Sequence, residues 1–151
     1  MPPRITPPFQ FFIDECLGRS VSDAVAAALE LDEEVRVLAD HFERGTKDEV
    51  WLRDVGQRGW VVLTMDSRLR HRPNERVALI SASVAAFMVK AARGGVMAER
   101  VARALPQVRT ALRSSNVPLV GTITDSGAVN LLIVGGKDKK RTIKPHAGGG
   151  R

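Results

Sequence analysis

Three short apolar runs, at residues 9–13, 60–64 and 84–89, set the strongest limit on how this chain folds. Each is five or six residues long, too short for an ordinary buried helix. The runs Trp60-Val61-Val62-Leu63-Thr64 and Val84-Ala85-Ala86-Phe87-Met88-Val89 are continuously apolar. That is the pattern of strands covered on both faces, as in the centre of a parallel sheet. The run Phe9-Gln10-Phe11-Phe12-Ile13 reads as a third buried strand, stopping at Asp14.

The intervening segments supply helices. Ser20 and Asp23 form a capping-box-like pair, and Val21, Ala24, Val25, Ala28 and Leu29 share one face. Residues 34–39 partly alternate, as an edge strand does. Thr46-Lys47-Asp48-Glu49 repeats the capping-box pattern and opens a helix through Trp51, Leu52 and Val55 that stops near Gly59. A short helix is expected over residues 74–80. The clearest one covers 95–113, where Ala98, Val101, Leu105, Val108 and Leu112 keep a 3/4 spacing. Arg100, Arg103, Arg109 and Arg113 read as mainly off that face, and Pro106 predicts a kink or interruption near Leu105. Two last strands, residues 119–123 and 129–134, are joined by Asp125-Ser126-Gly127, which is antiparallel hairpin chemistry.

The expected fold class is therefore α/β: a three-layer α/β/α sandwich with a mainly parallel central sheet and a C-terminal β-hairpin. This domain is expected to occupy residues 1–136. Residues 137–151 carry Lys137, Lys139, Lys140, Arg141 and Lys144 ahead of a glycine run, and read as a flexible basic tail.

Lysine and arginine outnumber aspartate and glutamate by 23 to 17, a net charge of +6. The excess points to a polyanionic partner and leaves RNA, DNA and an acidic protein open. Cys16 is the sole cysteine, so no intrachain disulfide forms. His41, His71 and His146 lack zinc-ligand spacing. No apolar run approaches the ~18 residues of a membrane span. The start Met1-Pro2-Pro3-Arg4 lacks the apolar centre of a signal peptide, so a cytoplasmic location without membrane contact is expected. The oligomeric state stays open, with a homodimer among the options.

Ligands of such sheets sit at the carboxyl ends of strands, near the point where strand order reverses. Asp14 directly follows the first strand and Asp66 lies two residues past Thr64. If those strands are neighbours, both carboxylates reach one crevice. Asp48 or Glu49, at a helix start, offers a third. Converging carboxylates call for a divalent cation, and Mg²⁺ accepts one or two of them plus substrate phosphate. Each acid also has an ordinary reading: Asp14 and Asp66 as turn residues, Asp48 and Glu49 as first-turn acids favoured by the helix dipole.

On three pieces the sequence resembles the PIN-like family, which includes the VapC-type toxins. They are Phe11-Phe12-Ile13-Asp14-Glu15, Lys47-Asp48-Glu49-Val50-Trp51-Leu52 and Gly59-Trp60-Val61-Val62-Leu63-Thr64-Met65-Asp66, within residues 9 to 113. Their spacing is similar to the compact branch of that family. The resemblance implies three or four acids that bind Mg²⁺ or Mn²⁺ and cleave single-stranded RNA. Here they correspond to Asp14, Asp48 and Asp66. It also implies a cognate antitoxin protein as partner. The family's fourth acid has no counterpart, because Val89 is followed by Lys90-Ala91-Ala92-Arg93. Glu75, or Glu15 beside Asp14, is the available substitute.

Asp66 leads into Ser67-Arg68-Leu69-Arg70-His71-Arg72. Arg68, Arg70 and Arg72 suit an RNA-phosphate clamp, because guanidinium groups match phosphate oxygens; a solvated loop is the plainer reading. Trp51 and Trp60 are base-stacking candidates, although such residues more often belong to a core. Two rivals stand against the ribonuclease. A phospho-accepting receiver domain also has acids at strand ends, but no lysine ends a fifth parallel strand here. A catalytically inactive PIN-like module that binds RNA or protein is the other.

Overall fold

The computed structural model describes residues 4–65 and 73–145. Among the described residues seven strands form one sheet: β1 (Gln10–Ile13), β2 (Glu34–Val37), β3 (Val61–Thr64), β4 (Ala85–Val89), β5 (Leu119–Ile123), β6 (Val129–Val134) and β7 (Lys137–Ile143). Their spatial order is β2-β1-β3-β4-β5-β6-β7. The first five are parallel, and β6 and β7 run antiparallel to their neighbours. Among the described residues the helices are α1 (Gly18–Ala27), α2 (Asp48–Arg58), α3 (Pro73–Ser81) and α4 (Gly94–Ser114).

The continuous apolar runs are explained by burial on both sides. Phe11, Ile13, Val61, Leu63 and Phe87 face a core shared with Val21 and Val25 of α1 and Val101, Leu105, Val108 and Leu112 of α4. The alternate residues Phe12, Val62, Ala86 and Met88 face the opposite core, with Trp51, Leu52 and Val55 of α2 and Leu79 of α3. The helices thus lie on both faces, which is the expected three-layer sandwich. At Gly56, α2 runs so close to the α3–β4 turn that an added Cβ would lie 2.0 Å from the Ala82 carbonyl oxygen.

Several local expectations are corrected. Leu17 and Lys47 occupy the N-cap positions of α1 and α2, and neither helix has a side-chain cap. The Thr46 hydroxyl instead donates to the Glu43 carbonyl at 2.6 Å. Gly59 does end α2, in the left-handed region at φ 71°. Pro106 does not interrupt α4, which is continuous from Gly94 to Ser114. Its ring lies on the exposed face, away from the packed stripe. Arg109, expected off the packed face, is buried. Its Nε and Nη2 donate to the two Glu33 carboxylate oxygens at 3.1 and 2.8 Å, and Nη2 also donates to the Ala28 carbonyl.

The largest difference lies at the C-terminus. From Lys137 the chain is not a structureless tail: Lys137–Ile143 is an edge strand paired with β6. Gly135 and Gly136 both have positive φ, 62° and 83°, which is the two-residue turn that twists correctly for a hairpin. Residues 146–151 lie outside the described residues.

Candidate functional site

The strand order places the site. From β1 the chain crosses to β2 on one side and returns through α2 to β3 on the other. The order therefore reverses between β1 and β3, and a crevice opens at their carboxyl ends. Asp14 stands there. Its backbone N–H donates to the Leu63 carbonyl at 3.0 Å, so the β1–β3 ladder itself holds the residue. Thr64, the fully buried last residue of β3, donates its hydroxyl to Asp14 Oδ2 at 2.9 Å. Among the described residues no basic side chain pairs with the Asp14 carboxylate.

Beside Asp14 a pocket of about 290 Å³ is bordered by Arg19 and Asp23 of α1 and by Asp40, at the carboxyl end of β2. Asp40 was not singled out from sequence; it ends the short 3-10 turn Leu38–Asp40 that follows β2, directly after the strand expected over residues 34–39. The rule that identified Asp14 and Asp66 had the signal to find it. Thr64 was also missed, since a strand-end threonine carries no chemical signature until its neighbour strand is known.

Cys16 lies near the same carboxylate, with its sulfur 3.8 Å from the Thr64 hydroxyl. The residue is exposed as a whole, but neighbouring atoms crowd the thiol. That desolvation, followed by the Asp14 charge, pushes its pKa up to about 11, so Cys16 remains a neutral thiol at neutral pH.

Asp48 is the first residue of α2, as expected of a helix-start acid. It does not border the Asp14 pocket. Its Oδ1 accepts the indole N–H of Trp51 at 3.0 Å. Glu49 is exposed one position on and borders a different pocket, between α2 and α3. Asp66, Arg68, Arg70 and Arg72 lie outside the described residues, as do the side chains of Glu15 and Glu75. Trp51 and Trp60 are both core residues rather than open platforms. Trp60 lies against Phe12 and beneath the guanidinium groups of Arg36 and Arg58.

Residues 9–91, more than half of the chain, match the family described as PIN like domain. The chain belongs to the PIN-like domain family. The match runs from the start of β1 past the end of β4, and so contains Asp14, Asp48 and Asp66. PIN-like domains are commonly nucleases. Comparison with the curated proteins and with the solved structures found no match.

A PIN-like site implies a divalent cation, and the chemistry of the donors is compatible with one. Asp14 offers a carboxylate that makes no ion pair among the described residues, Thr64 an adjacent hydroxyl, and Asp40 a second carboxylate on the same pocket. An all-oxygen set suits Mg²⁺, which keeps several waters and needs few protein ligands. Among the described residues no three His, Cys, Asp or Glu side chains are grouped to hold a metal ion. No helix among the described residues is long and apolar enough to cross a membrane.

Proposed function

We propose that this PIN-like domain is a Mg²⁺-dependent endoribonuclease that hydrolyses phosphodiesters of single-stranded RNA. The observation that carries this reading is the position of Asp14 at the sheet's switch point, hydrogen-bonded to the last residue of the neighbouring strand. Asp66, two residues beyond Thr64, supplies the second carboxylate, and Asp48 the third from the start of α2. When bound there, Mg²⁺ or Mn²⁺ supplies a polarised water and offsets charge on the phosphate. The Thr64 hydroxyl orients the Asp14 carboxylate by occupying Oδ2. Arg68, Arg70 and Arg72 clamp RNA phosphates beside Asp66.

The resemblance to VapC-type toxins supports a role as the cytoplasmic toxin of a toxin–antitoxin pair. A second reading, an inactive PIN-like module that binds RNA or protein, is favoured by Lys90. This exposed cation stands at the carboxyl end of β4, where the fourth acid of the family is expected.

The test is incubation of wild type, Asp14→Asn and Asp66→Asn with single-stranded and structured RNA in Mg²⁺, Mn²⁺ or EDTA. Wild type should cut single-stranded RNA in either metal and stop in EDTA. Each variant should lose roughly 100-fold or more in rate, equivalent to about 2.7 kcal/mol of barrier. RNA binding without cleavage in either metal would select the second reading.

A further inference from the structure

We propose that the cleft at the carboxyl ends of β4 and β5 seats one nucleotide of single-stranded RNA, with the Thr122 hydroxyl reading the base edge and Lys90 holding a flanking phosphate. The substrate class rests on the nuclease reading; the pocket rests on its own observations. The cleft measures about 770 Å³, within the usual range of small-molecule sites. It begins at Met65, the residue after Thr64, which holds Asp14. Neighbouring strands are ~4.8 Å apart, so the cleft adjoins the switch-point crevice on the next two strands. An RNA strand cut beside Asp14 therefore runs its adjoining nucleotide over β4 and β5.

The lining has the two parts a base needs. Met65, Met88 and Ile123 provide an apolar bed, and thioether sulfurs make favourable contacts with aromatic rings. The wall formed by the β5–β6 turn is fixed in advance. The Thr124 hydroxyl accepts the Ala128 N–H at 3.0 Å and lies 3.1 Å from the Ser126 hydroxyl. Gln107 of α4 donates to the Gly127 carbonyl at 2.6 Å, and Arg100 pairs with Asp125 at 3.3 Å. The Asp125 carboxylate of the lining is thereby paired with a cation.

These contacts commit Thr124, Asp125 and Ser126 to the turn. Two other polar groups of the lining remain available. The half-buried Thr122 makes no side-chain hydrogen bond among the described residues, and Lys90 makes no ion pair among them. A hydroxyl both donates and accepts, so it can meet a base edge. The exposed Lys90 ammonium of the lining suits a phosphate, in keeping with the chain's net charge of +6. The family match ends at residue 91, so the Thr122 wall belongs to a part of the chain outside it.

Fluorescein-labelled oligo-U, oligo-A and oligo-C RNA are titrated by anisotropy in EDTA against the full chain, Thr122→Val and Lys90→Gln. Thermal melts establish that both variants fold. Wild type should prefer one homopolymer, and Thr122→Val should reduce that preference at least fivefold while leaving the weakest homopolymer unchanged. Lys90→Gln should weaken all three, with a salt slope shallower by about 0.7, the single-strand value for one phosphate contact. Wild-type affinities for both folded variants on all three RNAs would overturn the pocket, even if wild type cuts RNA in Mg²⁺. A Thr122-dependent preference in a protein that never cuts would keep the pocket and reject the nuclease. Absence of RNA binding by wild type in EDTA would reject the pocket, and the cleavage assay in Mg²⁺ or Mn²⁺ would still decide the nuclease reading.

Discussion

Asp48 shows how a candidate site carboxylate serves the fold. Its bond to the Trp51 indole satisfies a donor on a core side chain that is 2% exposed. Asp48→Ala leaves that donor without its acceptor and is expected to cost about 1–3 kcal/mol, read as a lower melting temperature. Asp48→Asn keeps the Oδ1 acceptor and should melt near wild type. Cys16 gives a second prediction. With its pKa near 11, roughly one thiol in a hundred is ionised at pH 9, where an ordinary cysteine is about half ionised. Alkylation by iodoacetamide should therefore be slow at pH 9 and rise towards a midpoint near 11. Asp14→Asn removes the charge that opposes the thiolate and should move the midpoint down. An unchanged midpoint in that variant would assign the whole shift to desolvation. Asp14 was legible from sequence because a strand-ending apolar run precedes it. Asp48's partner was equally local, three residues away, but aspartate in a first helical turn has a common dipole explanation that conceals it.

At the scale of elements, the readable features were those set by periodicity. The spacing of Val101, Leu105, Val108 and Leu112 fixed the buried face of α4, and the expected antiparallel β5–β6 pair is present. Caps were misread because Ser20 and Thr46 match a short pattern that many non-capping sequences also match. The continuity of α4 through Pro106 has a tertiary cause. The packed stripe on either side holds the helix, and the Gln107 side-chain Nε2 donates to the Arg103 carbonyl at 2.9 Å. Arg109 lies one helical turn after Leu105, at the border of that stripe, and its partner Glu33 is 76 residues away. No local pattern joins the two. The pair ties α4 to the segment between α1 and β2. Burial alone would raise the Glu33 pKa, but the Arg109 hydrogen bonds and the Glu30 N–H hold it below the ordinary 4.5. The sign follows from the lowered value. The stabilisation is complete above about pH 4.5 and is lost as pH falls through the folded-state value. Arg109→Ala strands a buried carboxylate and should cost about 3–5 kcal/mol in urea unfolding at pH 7. The acid limb of its stability profile should also be flatter than that of wild type. Equal limbs would mean that other carboxylates govern acid unfolding.

For the whole molecule, the α/β class and the parallel centre were legible in the apolar runs, because a strand covered on both faces has no polar side to show. The sequence did not reveal the seventh strand. Lys137–Ile143 is exposed along nearly its whole length and carries no apolar alternation. Only the paired glycines before it mark the hairpin. Its charge has a physical use at a sheet edge, where unpaired N–H and C=O groups invite another chain. Lys137, Lys139, Lys140 and Arg141 repel a second copy of themselves, while Val129, Leu131 and Ile133 of β6 are buried one strand inward. Ending the chain after Gly136 would make β6 the edge, with its apolar sequence Val129-Asn130-Leu131-Leu132-Ile133-Val134 open to pairing. It would also remove the Arg76–Asp138 ion pair that links α3 to β7. That pair is exposed and contributes little to stability. The main expected effect is therefore self-association rather than unfolding. Light scattering after size exclusion should show the shortened chain forming dimers or larger species at concentrations where the full chain does not. Leu132→Lys in the shortened chain should restore the smaller species by placing a charge on the new edge. A shortened chain that matches the full chain in mass at every concentration would show that β7 does not guard the sheet.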